Sequence, residues 1–139
     1  MTHRYIKELG SYIDQEVVLK GWLAQKRDSK GLLFATMRDG TGFVQVVIDE
    51  NVVGNEIFEQ AKKMGQESSF SISGIVKKDE RQFGGVEVQA KSFCAYANAE
   101  DFPITPKEHG VDFLMDKRHL WLRSKRQWAI MRVRNTIIF

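Results

Sequence analysis

The chain is poor in cysteine, histidine, proline and long apolar runs, and each shortage excludes something. Of its 139 residues only Cys94 is a cysteine, so no disulfide can form within it. One thiol suits a reducing compartment. His3, His109 and His119 share no metal-ligand spacing, and a single cysteine gives no zinc site. Structural roles are expected for the three histidines, and no nucleophilic role for Cys94. No stretch approaches the ~18 apolar residues of a membrane span. The opening MTHRYIKELG lacks the apolar run and small-residue cleavage site of a signal peptide. A cytoplasmic location is the expectation.

What is present is an ordinary core and an uneven charge. Hydrophobic residues make up 42% of the chain, enough for a packed domain, and charged residues 28%. The net charge of +3 divides unequally. Residues 1–100 hold 13 Lys+Arg against 14 Asp+Glu, a net −1, and residues 101–139 hold 8 against 4, a net +4. A nucleic-acid surface in the first hundred residues must therefore be a local patch and not a general field.

Those hundred residues read as strands around one helix. After a short lead with Ile6, Leu9, Tyr12 and Ile13 as its apolar side, Glu16 to Arg27 reads as a strand with both faces partly apolar. Asp28-Ser29-Lys30-Gly31 is a turn signal, and Leu32 to Arg38 a second strand. Asp39-Gly40-Thr41-Gly42 closes a hairpin, its glycines expected at positive φ, before a third strand from Phe43 to Asp49. Residues 55–64 place Ile57, Phe58, Ala61 and Met64 on one helical stripe, with Asn55 as N-cap and Gly65 as stop. Ser68 to Lys78 alternates again, with Gly74 as a bend or bulge. A charged, glycine-ended turn follows from Asp79 to Gly85, then a fifth strand from Val86 to Ala95. This order matches a mainly β fold, the five-stranded Greek-key barrel of the oligonucleotide-binding (OB) type, with its helix between strands three and four.

The texture changes after Ala97. Both prolines, Pro103 and Pro106, stand in a linker-like stretch. Ser124 and Gln127 then form an S-x-x-Q capping box opening a C-terminal helix that carries Trp128, Ile130, Met131, Val133, Ile137 and Ile138. The expected division is a barrel over 1–98, a linker or hinge over 99–123, and the start of a second domain over 124–139. The apolar helix reaches Phe139 without a stop signal, which leads us to expect a truncated chain or a tail that docks on another molecule.

Within GWLAQKRDSKGLLFATMRDGTGFVQVV the core pattern leaves a residue set unexplained: Gln25, Arg27, Phe34, Arg38 and Gln45. An aromatic, two guanidiniums and two amides on one outward face suit unpaired bases. Phe34 could be plain packing, but Leu33 and Ala35 already serve the core and the strand period turns Phe34 outward. Gln45 lies among valines, where an amide must be paired or exposed. Arg27 could simply pair with Asp28 or Asp39, a contact worth roughly 0–1 kcal/mol when exposed. Lys26, Lys30 and Arg38 read as phosphate contacts or solvated charge. A sequence-blind single-strand binder and a protein-interaction module, with the Trp128 to Ile138 stripe as its sticky surface, are the rival readings.

The same stretch resembles the N-terminal anticodon-binding barrel of the class IIb aminoacyl-tRNA synthetases, which serve Asp, Asn and Lys. The run FPITPKEHGVDFLMDKRHLWLRSKRQWAIMRVRNTII is similar to the asparaginyl branch, with Arg118-His119-Leu120-Trp121-Leu122-Arg123 where the aspartyl and lysyl enzymes have an R-Y-x-D-L segment. The resemblance implies several things. Phe34 stacks on the middle anticodon base, a uridine that Arg27 and Gln45 contact. Glu87 stands near a carboxylate that reads the first anticodon base, and Gln25 stands where some relatives have arginine. The partner is the anticodon loop of tRNA(Asn). ATP and magnesium belong to the full-length enzymes and to motifs this chain lacks, so the fragment should bind and not catalyse. The helix from Lys125 resembles the start of the first catalytic-domain motif, which builds the homodimer.

Overall fold

The computed structural model describes residues 2–82, 84–107 and 109–139. It divides into two compact units, one ending at Asp101 and one spanning Phe102–Phe139. In the first unit a 3-10 helix, Ile6–Ser11, precedes β1 (Glu16–Ser29), β2 (Leu32–Asp39) and β3 (Gly42–Asp49). Two helices follow, α1 (Glu50–Val53) and α2 (Asn55–Lys63), then β4 (Ser69–Lys78) and β5 (Val86–Ala97). The strands close into a barrel in the order β1-β2-β3-β5-β4. Every pairing is antiparallel except β3 with β5. This is the expected barrel, with the helical segment between the third and fourth strands.

Alternation fills the interior. Leu19, Leu33, Met37, Val46, Ile48, Phe70, Ile72 and Val88 are at most 2% exposed. The 3-10 helix contributes Ile6 and Leu9 to this core, and α2 contributes Phe58 and Ala61. Gly74 marks a register shift between β4 and β5, as its sequence suggested. A Cβ there would collide with the Gln89 carbonyl oxygen.

Three local expectations are corrected. Gly40 and Gly42 do not adopt positive φ. The β2–β3 turn is instead held by the Asp39 carboxylate, which accepts hydrogen bonds from Thr41 N (2.7 Å), Thr41 Oγ1 (2.6 Å) and Gly42 N (3.1 Å). Its second oxygen accepts from Ile6 N at 2.9 Å, tying the 3-10 helix to the hairpin. Asn55 is the first residue of α2 and not its cap, which is Gly54 at φ 91, while Asp49 caps the short helix α1 by accepting from Asn51 N at 2.9 Å. Gly65 stands directly after the α2 C-cap Met64, where the stop was expected, but it serves close approach and does not adopt positive φ. A Cβ on it would run into the Ala99 carbonyl, and its N–H donates to Asn98 Oδ1 at 3.0 Å.

In the second unit, the stretch expected as a bare linker contains α3 (Val111–Asp116) and a 3-10 turn, Trp121–Arg123. Both prolines precede α3, so nothing interrupts it. The His109 ring stacks on Phe113 with centroids 4.5 Å apart, and its Nε2 accepts from Thr105 N at 3.2 Å. The last helix, α4 (Lys125–Ile138), starts where the capping signal placed it. Ser124 Oγ accepts from Gln127 N at 3.3 Å. Ser124 N donates to the Trp121 carbonyl at 2.9 Å, so the Gln127 side chain is not needed for the reciprocal bond. No helix among the described residues is long and apolar enough to cross a membrane.

Candidate nucleic-acid interface

The candidate face depends on one irregularity in β1. Val17, Leu19 and Leu23 face the core, so strict alternation would send Gln25 and Arg27 inward as well. A register shift between Leu23 and Gln25 reverses this. The backbone of Leu23 turns to the segment before β4: its N–H donates to Ser68 O at 2.9 Å, and Glu67 N donates to Leu23 O at 2.8 Å. Glu67 takes φ 69 to do so. Beyond the bulge, Gln25 pairs with Thr36 and Arg27 with Phe34, all on the outside.

Register then assembles the remaining residues. Gln45 of β3 pairs with Thr36, and Val47 with Phe34. Across the parallel ladder, Glu87 of β5 pairs with Gln45 and Gln89 with Val47. The outer face therefore carries a polar row, Gln25–Thr36–Gln45–Glu87, beside an aromatic row, Arg27–Phe34–Val47–Gln89. Gln45 Nε2 donates to Glu87 Oε2 at 3.3 Å, which orients the amide while its oxygen keeps an acceptor. The Arg27 guanidinium lies over the Phe34 ring, 5.0 Å from its centroid. Ring and guanidinium plane both stack on bases. Phe34, Gln45 and Glu87 are half-buried, and Gln25 and Arg27 are exposed.

Five expected residues, Gln25, Arg27, Phe34, Gln45 and Glu87, thus converge on one surface. Two others do not belong with them. Lys26 falls on the inner parity opposite Ala35, because the bulge that turns its neighbours out turns it in. Its ammonium donates to the Lys62 carbonyl of α2. Desolvation, chiefly, and the nearby Lys62 charge lower its pKa against the raising influence of Asp28. Arg38 has the outward parity but is only 9% exposed. Glu67 holds it in a bidentate pair at 2.7 and 2.8 Å. A guanidinium so engaged is not offered to phosphate. Sequence reasoning passed over Thr36, Val47 and Gln89. The first two were countable from the tight 39–42 turn, which pairs 36 with 45 and 34 with 47. Nothing local in the sequence announces the parallel β3–β5 pairing that supplies Gln89.

A family model described as an OB-fold nucleic acid binding domain, of the tRNA anticodon type, matches residues 17–93, more than half of the chain. The chain belongs to this family. The OB domain and its tail are 51% identical to an asparagine–tRNA ligase of Lactobacillus johnsonii over 132 residues, which is 95% of this chain and 31% of that protein. The corresponding ligase of Lactobacillus gasseri is 49% identical over the same lengths. The chain thus spans about a third of the length of these relatives. Among solved structures, the asparaginyl-tRNA synthetase of Pyrococcus horikoshii complexed with asparaginyl-adenylate matches with a TM-score of 0.86 at 39% identity. That match covers 99% of this chain and 32% of the other. An aspartyl-tRNA synthetase from Entamoeba histolytica matches at 0.80 with 20% identity, covering 97% of this chain and 35% of that one, a likeness of fold alone.

Proposed function

We propose that the OB domain reads the anticodon loop of tRNA(Asn) in the cytoplasm, as the N-terminal part of an asparagine–tRNA ligase. The observation that supports this best is the pair of outer rows, Arg27–Phe34 beside Gln45–Glu87. The loop splays its bases over the sheet. The middle base stacks on Phe34, its edge meets Arg27 and Gln45, and Glu87 and Gln25 face its neighbours. Stacking supplies affinity, at about 1–3 kcal/mol per base. The amide and carboxylate supply discrimination, because a wrong base leaves them unpaired.

Asparagine activation with ATP and magnesium belongs to the whole ligase in this reading. The homodimer surface is assigned to α4, where Ile130, Val133 and Ile137 are exposed. Competition between an Asn-anticodon stem-loop and one altered at its middle base tests the proposal. The altered loop is expected to bind at least tenfold more weakly. Equal competition would identify a sequence-blind single-strand binder instead.

A further inference from the structure

β5 sends two polar side chains to the outer face, Glu87 and Gln89, with the buried Val88 between them. At the rise of a strand they stand about 6.7 Å apart. Register puts Gln89 beside Val47 and two strand spacings, about 10 Å, from Phe34. Phe34 and Val47 are both half-buried, so they form an apolar floor that ends at Gln89. Gln89 itself is exposed, and among the described residues its side-chain amide has no hydrogen-bond partner. Glu87 is prepared differently. Gln45 Nε2 donates to its Oε2 at 3.3 Å, which orients the carboxylate and leaves acceptor capacity on both oxygens. The cations near Glu87 are engaged by other carboxylates. Lys77, its neighbour on β4, donates to Asp14 Oδ1 at 3.1 Å, and Arg81 donates to Asp79 at 3.1 and 3.3 Å.

Resting on the anticodon reading, we infer that Gln89 is a specificity residue that completes a guanine-selective edge with Glu87. Its amide N–H donates to O6 of the base next to the one on Phe34, while Glu87 accepts from N1–H and N2–H of that same base. At a two-residue spacing, amide and carboxylate converge on one base edge. The order of donors and acceptors along that edge carries the selectivity. Guanine presents an acceptor, O6, followed by two donors. Adenine and cytosine present a donor, N6 or N4, followed by a ring nitrogen that accepts. A flipped amide could accept from that donor, but the ring nitrogen would then face the Glu87 carboxylate, acceptor against acceptor. Uracil matches at O4 and N3–H but sets O2 against the carboxylate. Guanine is the first anticodon base of tRNA(Asn), since asparagine codons end in U or C.

The test uses the full chain and the anticodon stem-loop RNA of tRNA(Asn), with affinity read by anisotropy of labelled RNA. The first anticodon base is guanine, 6-thioguanine, in which sulfur replaces O6, or inosine, which lacks the N2 amino group. Gln89→Leu keeps the bulk of the side chain and removes the amide. The wild-type protein is expected to bind the 6-thioguanine loop about fivefold more weakly than the guanine loop, the size of one net hydrogen bond. Gln89→Leu should bind the guanine loop about fivefold more weakly than wild type, bind the 6-thioguanine loop equally, and still lose affinity for inosine. Wild-type affinity in Gln89→Leu, or an undiminished penalty for 6-thioguanine in that variant, overturns the role of Gln89. Alongside a weakened Phe34→Ala, either result leaves the anticodon reading standing. Undiminished binding by Phe34→Ala overturns the anticodon reading itself. Should Gln89→Leu fail to fold, the wild-type protein decides: equal affinity for the guanine and 6-thioguanine loops overturns the proposal.

Discussion

Phe34 and the residues on either side of it do separate work, and mutation should separate them. Leu33 and Ala35 are fully buried, while Phe34 keeps part of its ring in solvent beneath Arg27. Phe34→Ala is expected to weaken stem-loop binding at least tenfold, about 1.4 kcal/mol, while the melting temperature moves little. The Arg38–Glu67 pair should behave in the opposite way. Both side chains are nearly covered, so removing one partner strands a buried charge. Glu67→Ala is expected to destabilise the fold by about 3–5 kcal/mol in urea unfolding. At this scale the sequence revealed residue type but not engagement. Arg38 looks like any basic outward residue until its partner, 29 positions later, is brought to it. Phe34 was readable because its neighbours are apolar and a strand has only two faces.

At the scale of elements, the bulges matter more than the strands. Strand existence followed from alternation and turn residues, and all five strands stand where those signals put them. The direction in which side chains point along β1 did not follow, because one extra residue inverts every face beyond it. Lys26, read as a phosphate contact or solvated charge, lies on the inner parity for that reason. The β4–β5 irregularity at Gly74 was legible, since a glycine inside a strand marks close backbone approach. Gly74→Ala would press a Cβ against the Gln89 carbonyl and the Ala90 backbone. A loss of about 1–3 kcal/mol is expected in thermal or urea melts. The Asp39 turn was read correctly in position but for the wrong reason. A carboxylate accepting three local bonds and one distant bond replaces the positive-φ glycines.

For the whole molecule, charge distribution decides how binding responds to salt. Residues 1–100 are net −1 and the positive excess lies in residues 101–139. On the proposed face the one positive charge of Arg27 is matched in number by the negative charge of Glu87, and Arg38 is paired with Glu67. Few phosphates can be paired there, and a single-strand contact contributes a slope of about −0.7 per phosphate. The slope of log affinity for the stem-loop against log salt is therefore expected to be about −2 or shallower. Titration between low and physiological salt checks it. A steep slope would mean that the basic tail, and not the barrel, carries binding.

The order of strands and helix, the core sides of β2 and β3 and the outward placement of Phe34 and Gln45 follow from the sequence alone, because period-2 patterning and turn residues act over a few positions. Tertiary structure decided which charges are free. The bulge at Leu23, the pairing of Gln45 with Glu87 across a parallel ladder and the capture of Arg38 by Glu67 each join residues far apart in the chain. Such contacts depend on barrel closure, which no short window of sequence contains.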